Sequence, residues 1–309
     1  MVVGIHTVPA FSIGTSGSEL YILIRQLLNA AVPIFLSLSA FFISNKKLET
    51  SRDIISFWKK QIPKVYLPCL IWSIPYLILS LKNGDSIDKC ILNYIGCGYS
   101  IYYFIALIIQ LYLLTPILLR LNLLVGGAVC SMLSLASIAL YVYSNLQLPL
   151  ILYAGPFVIW IMFYMQGIII SKSSREYSIP PLLIAIAMCV IFQMLESKYL
   201  YSLNGRWAGI KPSAFIYSVV VILLLFSNKV QKRYELKTNL IKRFIEYIGR
   251  ISFSIYLVHM FIVITISRFL DIQCWIINWS FVLIMTIIVI NFLKSILPVS
   301  ILRKYLGIL

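Results

Sequence analysis

The chain has two histidines, His6 and His259, and each falls inside an apolar run. Imidazole titrates near neutral pH, so a histidine can take a proton from a hydroxyl and hand it on. Two readings fit His6: a general base, or a neutral histidine hydrogen-bonded to a neighbouring helix. Ser252, Tyr256 and His259 follow i, i+4, i+7, one face of a helix. That stripe suits structural packing, or a polar interior that could contact a developing oxyanion. Arg25 and Asn29 share a face at i, i+4, and Arg25 either snorkels toward water or holds an anionic group. Arg52, Lys60 and Lys64 lie in a basic stretch that passes into an apolar one across Trp58–Pro68. Cations in such a row can hold the phosphates of a cytosolic ligand.

The elements that must position these residues follow from composition. Of 309 residues, 61% are hydrophobic and 12% charged, and the mean hydropathy is +0.95. Apolar runs of about 18 or more residues recur, which is the signal of membrane-spanning helices. The sequence predicts an all-α, polytopic integral membrane bundle of about ten transmembrane helices in one domain, 1–309. The runs are 1–14, 22–44, 65–81, 101–119, 123–143, 150–171, 179–195, 212–228, 251–267 and 274–297. The first has no basic start, so it is not a signal peptide. At about 1.5 Å per residue it is short for a hydrocarbon core of about 30 Å. It reads as the outer part of a truncated helix, and the reading frame is expected to begin upstream.

The net charge is +16, with a pI near 9.6. The cations concentrate in two short connections, 46–64 and 229–250, while the carboxylates show no such bias. That asymmetry is the positive-inside signal. It places both termini, Lys59 and Lys237 in the cytoplasm, and Lys89 and Arg206 outside. The bias points to membrane lipids as partners and away from nucleic acid. None of the six cysteines forms a C-x-x-C pair or joins a Cys/His cluster, which argues against a metal site. Cys69, Cys130 and Cys189 read as core residues, and Cys90 and Cys97 share a connection in which they could pair. The aromatic stretches 99–104 and 199–207 suit an interfacial belt, and the second could equally seat a sugar.

Taken in order, several stretches resemble acyltransferase family 3, bacterial membrane proteins that O-acylate surface polysaccharides and related glycans. They are Val3-Gly4-Ile5-His6, the run from Ala31 to Phe42, and the run from Phe57 to Pro68. Tyr103-Phe104 through Leu114, Trp160 to Gly167 and Gly249 to His259 follow. The resemblance implies a ten-helix bundle in the bacterial cytoplasmic (inner) membrane. The family's reaction moves an acyl group, acetyl by expectation, from cytosolic acyl-CoA to a hydroxyl of a surface polysaccharide or lipid-linked sugar. Acyl-CoA is a co-substrate, and no cofactor is permanently bound.

His6 matches the family's essential first-helix histidine. Lys60 and Lys64 fall in its basic segment, where with Arg52 they would hold CoA. Arg25, Gln110, Tyr256 and His259 would contact the oxyanion or the acceptor. The chain departs from the pattern in five places. Gln61 and Lys64 stand where two arginines are usual, Ala40 replaces a common glycine, and Ile101 stands where many relatives have histidine. An arginine usual before the histidine has no counterpart. Two other classes remain open. A glycan transporter or flippase would use the polar face of 251–267 and Pro33. A degenerate relative would act only as a membrane partner.

Overall fold

The computed structural model describes residues 1–8, 18–144, 148–173, 176–205, 209–235, 239–270, 272, 274–297 and 300–308. Among them every regular element is helical. In the first third these are α1 (Val2–Thr7), α2 (Ser18–Leu28), α3 (Ala31–Ile43), α4 (Ser51–Lys82) and α5 (Ile87–Ile95). A 3-10 turn at Ser100–Tyr102 leads into α6 (Tyr103–Leu118), followed by α7 (Leu123–Tyr143), α8 (Leu150–Ala154) and α9 (Phe157–Lys172). Next come α10 (Ile179–Asn204), α11 (Pro212–Leu225), α12 (Asn228–Glu235) and α13 (Leu240–Arg250). The last are α14 (Ser252–Phe269), α15 (Trp275–Ile296) and α16 (Ser300–Tyr305).

Eight of the described helical segments are long and apolar enough to cross a membrane. Of the ten expected spans, two differ. Helix α11 is apolar but has 14 residues, and α1 has six. The contacts cluster into two compact units. The first is Met1–Lys47 with Leu114–Asn239, and the second is Leu48–Leu113 with Leu240–Leu309.

In the first unit α9 packs against α3 and α7. Small residues let the backbones close in. A Cβ on Gly167 would lie 2.1 Å from the carbonyl oxygen of Ser37 and 2.9 Å from the Cβ of Ala40. Ser37 Oγ donates to the carbonyl of Phe163 at 2.7 Å, and Ser44 and Ser171 pair through their hydroxyls at 2.6 Å. Such contacts hold helices together where lipid removes the hydrophobic drive. Gly167 therefore supplies the clearance at the position facing Ala40, the residue that departs from the family's glycine. Helices α10 and α11 pack together, α2 lies on α10, and α1 lies on α2.

In the second unit α14 packs on α4 and α15, and α16 on α4. The end of the chain is threaded into this packing. Trp72 Nε1 donates to the carbonyl of Leu306 at 3.0 Å, and Ser254 Oγ to that of Gly307 at 2.7 Å. Gly307 has φ +66°, and a Cβ there would sit 2.7 Å from Leu257 Cδ1. Only glycine combines that backbone with that closeness.

Four expected connections turn out to contain helix, and one of them, 82–100, holds α5. The basic stretch was expected to be a loop with its helix starting at 65, but α4 runs unbroken from Ser51. A capping box starts it: Thr50 Oγ1 accepts from the amide of Asp53 at 3.2 Å, and Asp53 Oδ2 accepts from the amide of Thr50 at 3.1 Å. Pro63 then sits inside the helix, where it removes the donor to the carbonyl of Lys59, an exposed position that solvent can satisfy. Over 32 residues α4 is about 48 Å long at 1.5 Å per residue, more than a bilayer core requires. Residues 196–204 continue α10, which stops at Gly205 with φ +70°. The second basic connection forms α12 and α13. Arg206 and Lys237, two of the topology markers, lie outside the described residues.

All six cysteines are free thiols. The pairing considered for Cys90 and Cys97 is not formed: Cys90 Sγ instead donates to Ser80 Oγ at 3.5 Å.

Candidate functional site

The second unit carries six of the eight sequence-derived candidates. Arg52, Lys60 and Lys64 are all exposed along one helix, α4. Lys60 and Lys64 are one turn apart on the same face, and Arg52 lies two turns before Lys60, about 12 Å along the axis. The row is rigidly mounted. Trp58 Nε1 donates to the carbonyl of Tyr112 at 3.0 Å, and the rings of Phe57 and Tyr112 meet edge to face at 5.9 Å. A helix with one apolar side anchored and cations on the other can present point charges to phosphates without ordering a loop.

Tyr256 and His259 lie together, buried, on α14 with ring centroids 6.3 Å apart. The Tyr256 hydroxyl donates to the carbonyl of Ile101 at 2.6 Å. An oxyanion contact from Tyr256 would require that bond to open. His259 Nδ1 lies 2.9 Å from the carbonyl oxygens of both Ile255 and Tyr256. Carbonyls only accept, so Nδ1 carries the proton and Nε2 keeps its lone pair. Gln110 is half-buried on α6 and donates through Nε2 to the carbonyl of Ala106 at 3.2 Å.

His6 and Arg25 belong to the first unit. His6 is half-buried in the last turn of α1. Arg25 is half-buried on α2 and donates through Nη1 to Asn29 Oδ1. From there a chain of hydrogen bonds runs inward. Asn29 Nδ2 donates to Gln26 Oε1 at 2.9 Å and to Gln193 Oε1 at 3.0 Å, and Gln26 Nε2 donates to Ser197 Oγ at 3.1 Å. Gln26, Gln193 and Ser197 are fully buried.

Lys211 closes this network. It is 1% exposed, and its Nζ donates to the carbonyl of Gln193 at 2.9 Å and to Ser197 Oγ. Burial pushes the Lys211 ammonium down to about 7; Glu196 works against that fall and Arg25 adds to it. Glu196 is held in turn, accepting from the Tyr143 hydroxyl at 2.7 Å and from the amide of Ser213 at 3.0 Å. Beside Glu196 and Ser213 opens a groove of about 500 Å³, whose other walls include Tyr143, Phe192, Tyr199 and Ile216.

The sequence reading missed most of this cluster. Lys211 reads as one more loop cation, although it stands directly before Pro212 and an apolar helix. Gln193 and Ser197 repeat at i, i+4 where the apolar run of α10 gives way to Glu196 and Lys198, a signal that was legible.

No curated protein and no solved structure matches the chain. A family model does: acyltransferase family 3, described as an acyltransferase domain, matches residues 1–293. With its long apolar helices, the protein is a multi-pass membrane protein. A match over nearly the whole length, residues 1–293 of 309, places this chain in acyltransferase family 3.

Proposed function

We propose that the protein is an O-acyltransferase of the bacterial cytoplasmic membrane. It takes an acyl group, acetyl first among candidates, from cytosolic acyl-CoA and passes it to a hydroxyl of a surface polysaccharide or lipid-linked sugar. The observation that carries this reading is the family match over residues 1–293. The exposed cation row on α4 supports the donor assignment. Lys60 and Lys64, with Arg52, hold the phosphates of CoA.

His6 accepts the proton of the acceptor hydroxyl as its oxygen attacks the thioester carbonyl. The new C–O bond forms, the carbonyl carries the negative charge, and collapse of the tetrahedral species breaks the C–S bond. The proton held on His6 then passes to the departing thiolate, so CoA leaves as the thiol. General-base help of this kind is worth about 10²–10⁴-fold. Arg25 and Gln110 are candidate donors to the oxyanion, while Tyr256 and His259 order the α14 face.

The test is transfer by the purified protein. Incubation with labelled acetyl-CoA and a hydroxyl-bearing glycan is expected to release CoA and label the glycan. Mass spectrometry of surface glycans from cells with and without the chain identifies the acceptor. No transfer from any acyl-CoA, with unchanged glycans, would remove this reading.

A further inference from the structure

Helix α13 sorts its residues by angle. Leu240, Phe244 and Ile248 follow i, i+4, i+8 with Ile245 alongside, while Arg243, Glu246 and Arg250 fill the opposite arc. A helix that packs on a protein core hides its apolar arc. Here Leu240 and Phe244 are 80% and 55% exposed, and Ile245 is exposed as well. The open side is therefore the apolar one. In a multi-pass membrane protein a basic amphipathic helix of this kind lies along the bilayer surface, its apolar arc among acyl chains and its cations at the headgroups. Its place in the chain agrees, because Ile251 alone separates it from α14, which is long and apolar enough to span.

The charges at the end of α13 are gathered, not scattered. The Tyr247 hydroxyl donates to Asn291 Oδ1 at 2.8 Å and fixes α13 against α15. Three residues beyond these two partners stand Arg250 and Lys294. Arg303, on α16, donates through Nε to the carbonyl of Leu297 at 2.6 Å, just past the end of α15. The charges of Arg250 and Arg303 both bear on Lys294. Among the described residues neither arginine is ion-paired, and neither is Glu246, one turn before Arg250. Like charges brought together repel, and a bound anion relieves that repulsion. On α15 the exposed side chains of Phe292 and Ile296 flank Lys294 in sequence, so apolar surface and cations occur together a second time.

We propose that α13, with the ends of α15 and α16, forms a binding site for an anionic phospholipid of the surrounding bilayer. The phosphate accepts from Arg250 and Arg303, and the acyl chains cover the apolar arc at Leu240 and Phe244. That arc selects a lipid over a soluble phosphate, which would leave both side chains in water. The site does not depend on acyl transfer.

The test uses the full chain, purified in a neutral maltoside detergent, with no acyl-CoA present. Labelled phosphatidylglycerol and phosphatidylcholine are titrated separately, and inorganic phosphate is added as a competitor. Saturable binding of phosphatidylglycerol is expected, about tenfold or more tighter than that of phosphatidylcholine. Arg250→Gln with Arg303→Gln should bring the two lipids to similar affinity. Leu240→Ser with Phe244→Ser should weaken both. Hydrogen exchange gives the location: phosphatidylglycerol should slow exchange at the amides of 240–250 in the wild type, and not in either double variant. Arg250, Leu240 and Phe244 are exposed, so Arg250→Gln alone and the serine pair report even if Arg303→Gln disturbs α16. Equal affinity for the two lipids in the wild type, or phosphatidylglycerol binding unchanged in Arg250→Gln and in the serine pair, overturns the site. Inorganic phosphate that displaces phosphatidylglycerol at matched concentration overturns the lipid. Because no acyl donor is present, failure here leaves the acyl-transfer reading untouched, and the reverse.

Discussion

Lys211 Nζ donates to the carbonyl of Gln193 at 2.9 Å, so a residue just ahead of one apolar helix is held by the backbone of another. The bond ties α10 to the start of α11, and it places an ammonium where burial works against its charge. This gives the first prediction. Burial pushes Lys211 down to about 7, whereas in the unfolded chain a lysine titrates at about 10.4. Between those values the unfolded state binds more protons than the folded state, so stability rises with pH across that window. Below it both states are charged and the cost of burial is fully felt. Thermal unfolding in detergent should therefore shift to higher temperature from about pH 7 to about pH 10. Lys211→Met should flatten that part of the profile. A slope that survives the substitution would assign the titration to another group.

The second prediction concerns the α4 row. Lys60→Ala with Lys64→Ala should weaken acyl-CoA binding while expression and insertion stay normal, because both side chains are exposed and bear on no packing. The residual affinity should depend less on salt than that of the wild type, since screened cations have been removed. Unchanged CoA affinity by equilibrium binding would take these lysines out of the donor site.

How much was legible beforehand varies from residue to residue. The helix around His259 announced itself by uninterrupted apolar length, and its bounds differ from the structure by only a few residues, whereas the run at 22–44 divides into α2 and α3. The basic stretch did not announce itself, because Lys59, Lys60 and Lys64 with Pro63 look like a connection. The capping box at Thr50 and Asp53 sits upstream of the apolar run that drew attention, so the start of α4 was placed too late. Tyr256 was legible as part of a polar stripe, but its partner Ile101 is 155 residues away, and spacing cannot reveal that. Lys211 was invisible for the same reason. Its burial comes from Gln193 and Ser197 on α10, a tertiary contact that local pattern does not encode.

The third prediction tests helix packing in the first unit. Gly167→Ala should destabilise by about 1–3 kcal/mol, as overpacking does. The added methyl would meet the carbonyl oxygen of Ser37 at 2.1 Å, and a backbone atom cannot rotate away. Ala40→Gly should not rescue it, because the tighter clash is with Ser37 and not with Ala40. Full rescue in the double variant, measured by thermal unfolding, would show that the side-chain contact was the limiting one.

The fourth prediction separates the two histidines. If His6 is the base, His6→Ala should lose at least about 10²-fold in transfer rate with normal expression. A packing histidine would instead lower yield or thermal stability and leave the folded fraction active. His259 is the contrasting case. It is fully buried, its Nδ1 proton faces the carbonyls of Ile255 and Tyr256, and its neighbour Tyr256 is tied to Ile101. Its removal should cost mainly stability, with a smaller loss of rate per folded molecule. His259→Asn retains a donor that can reach the same carbonyls, and should recover stability more than His259→Ala does. Rate and melting temperature measured on the same preparations decide between the roles. If transfer survives in His6→Ala and vanishes in His259→Asn at unchanged stability, the base is Nε2 of His259, and the first helix serves another purpose.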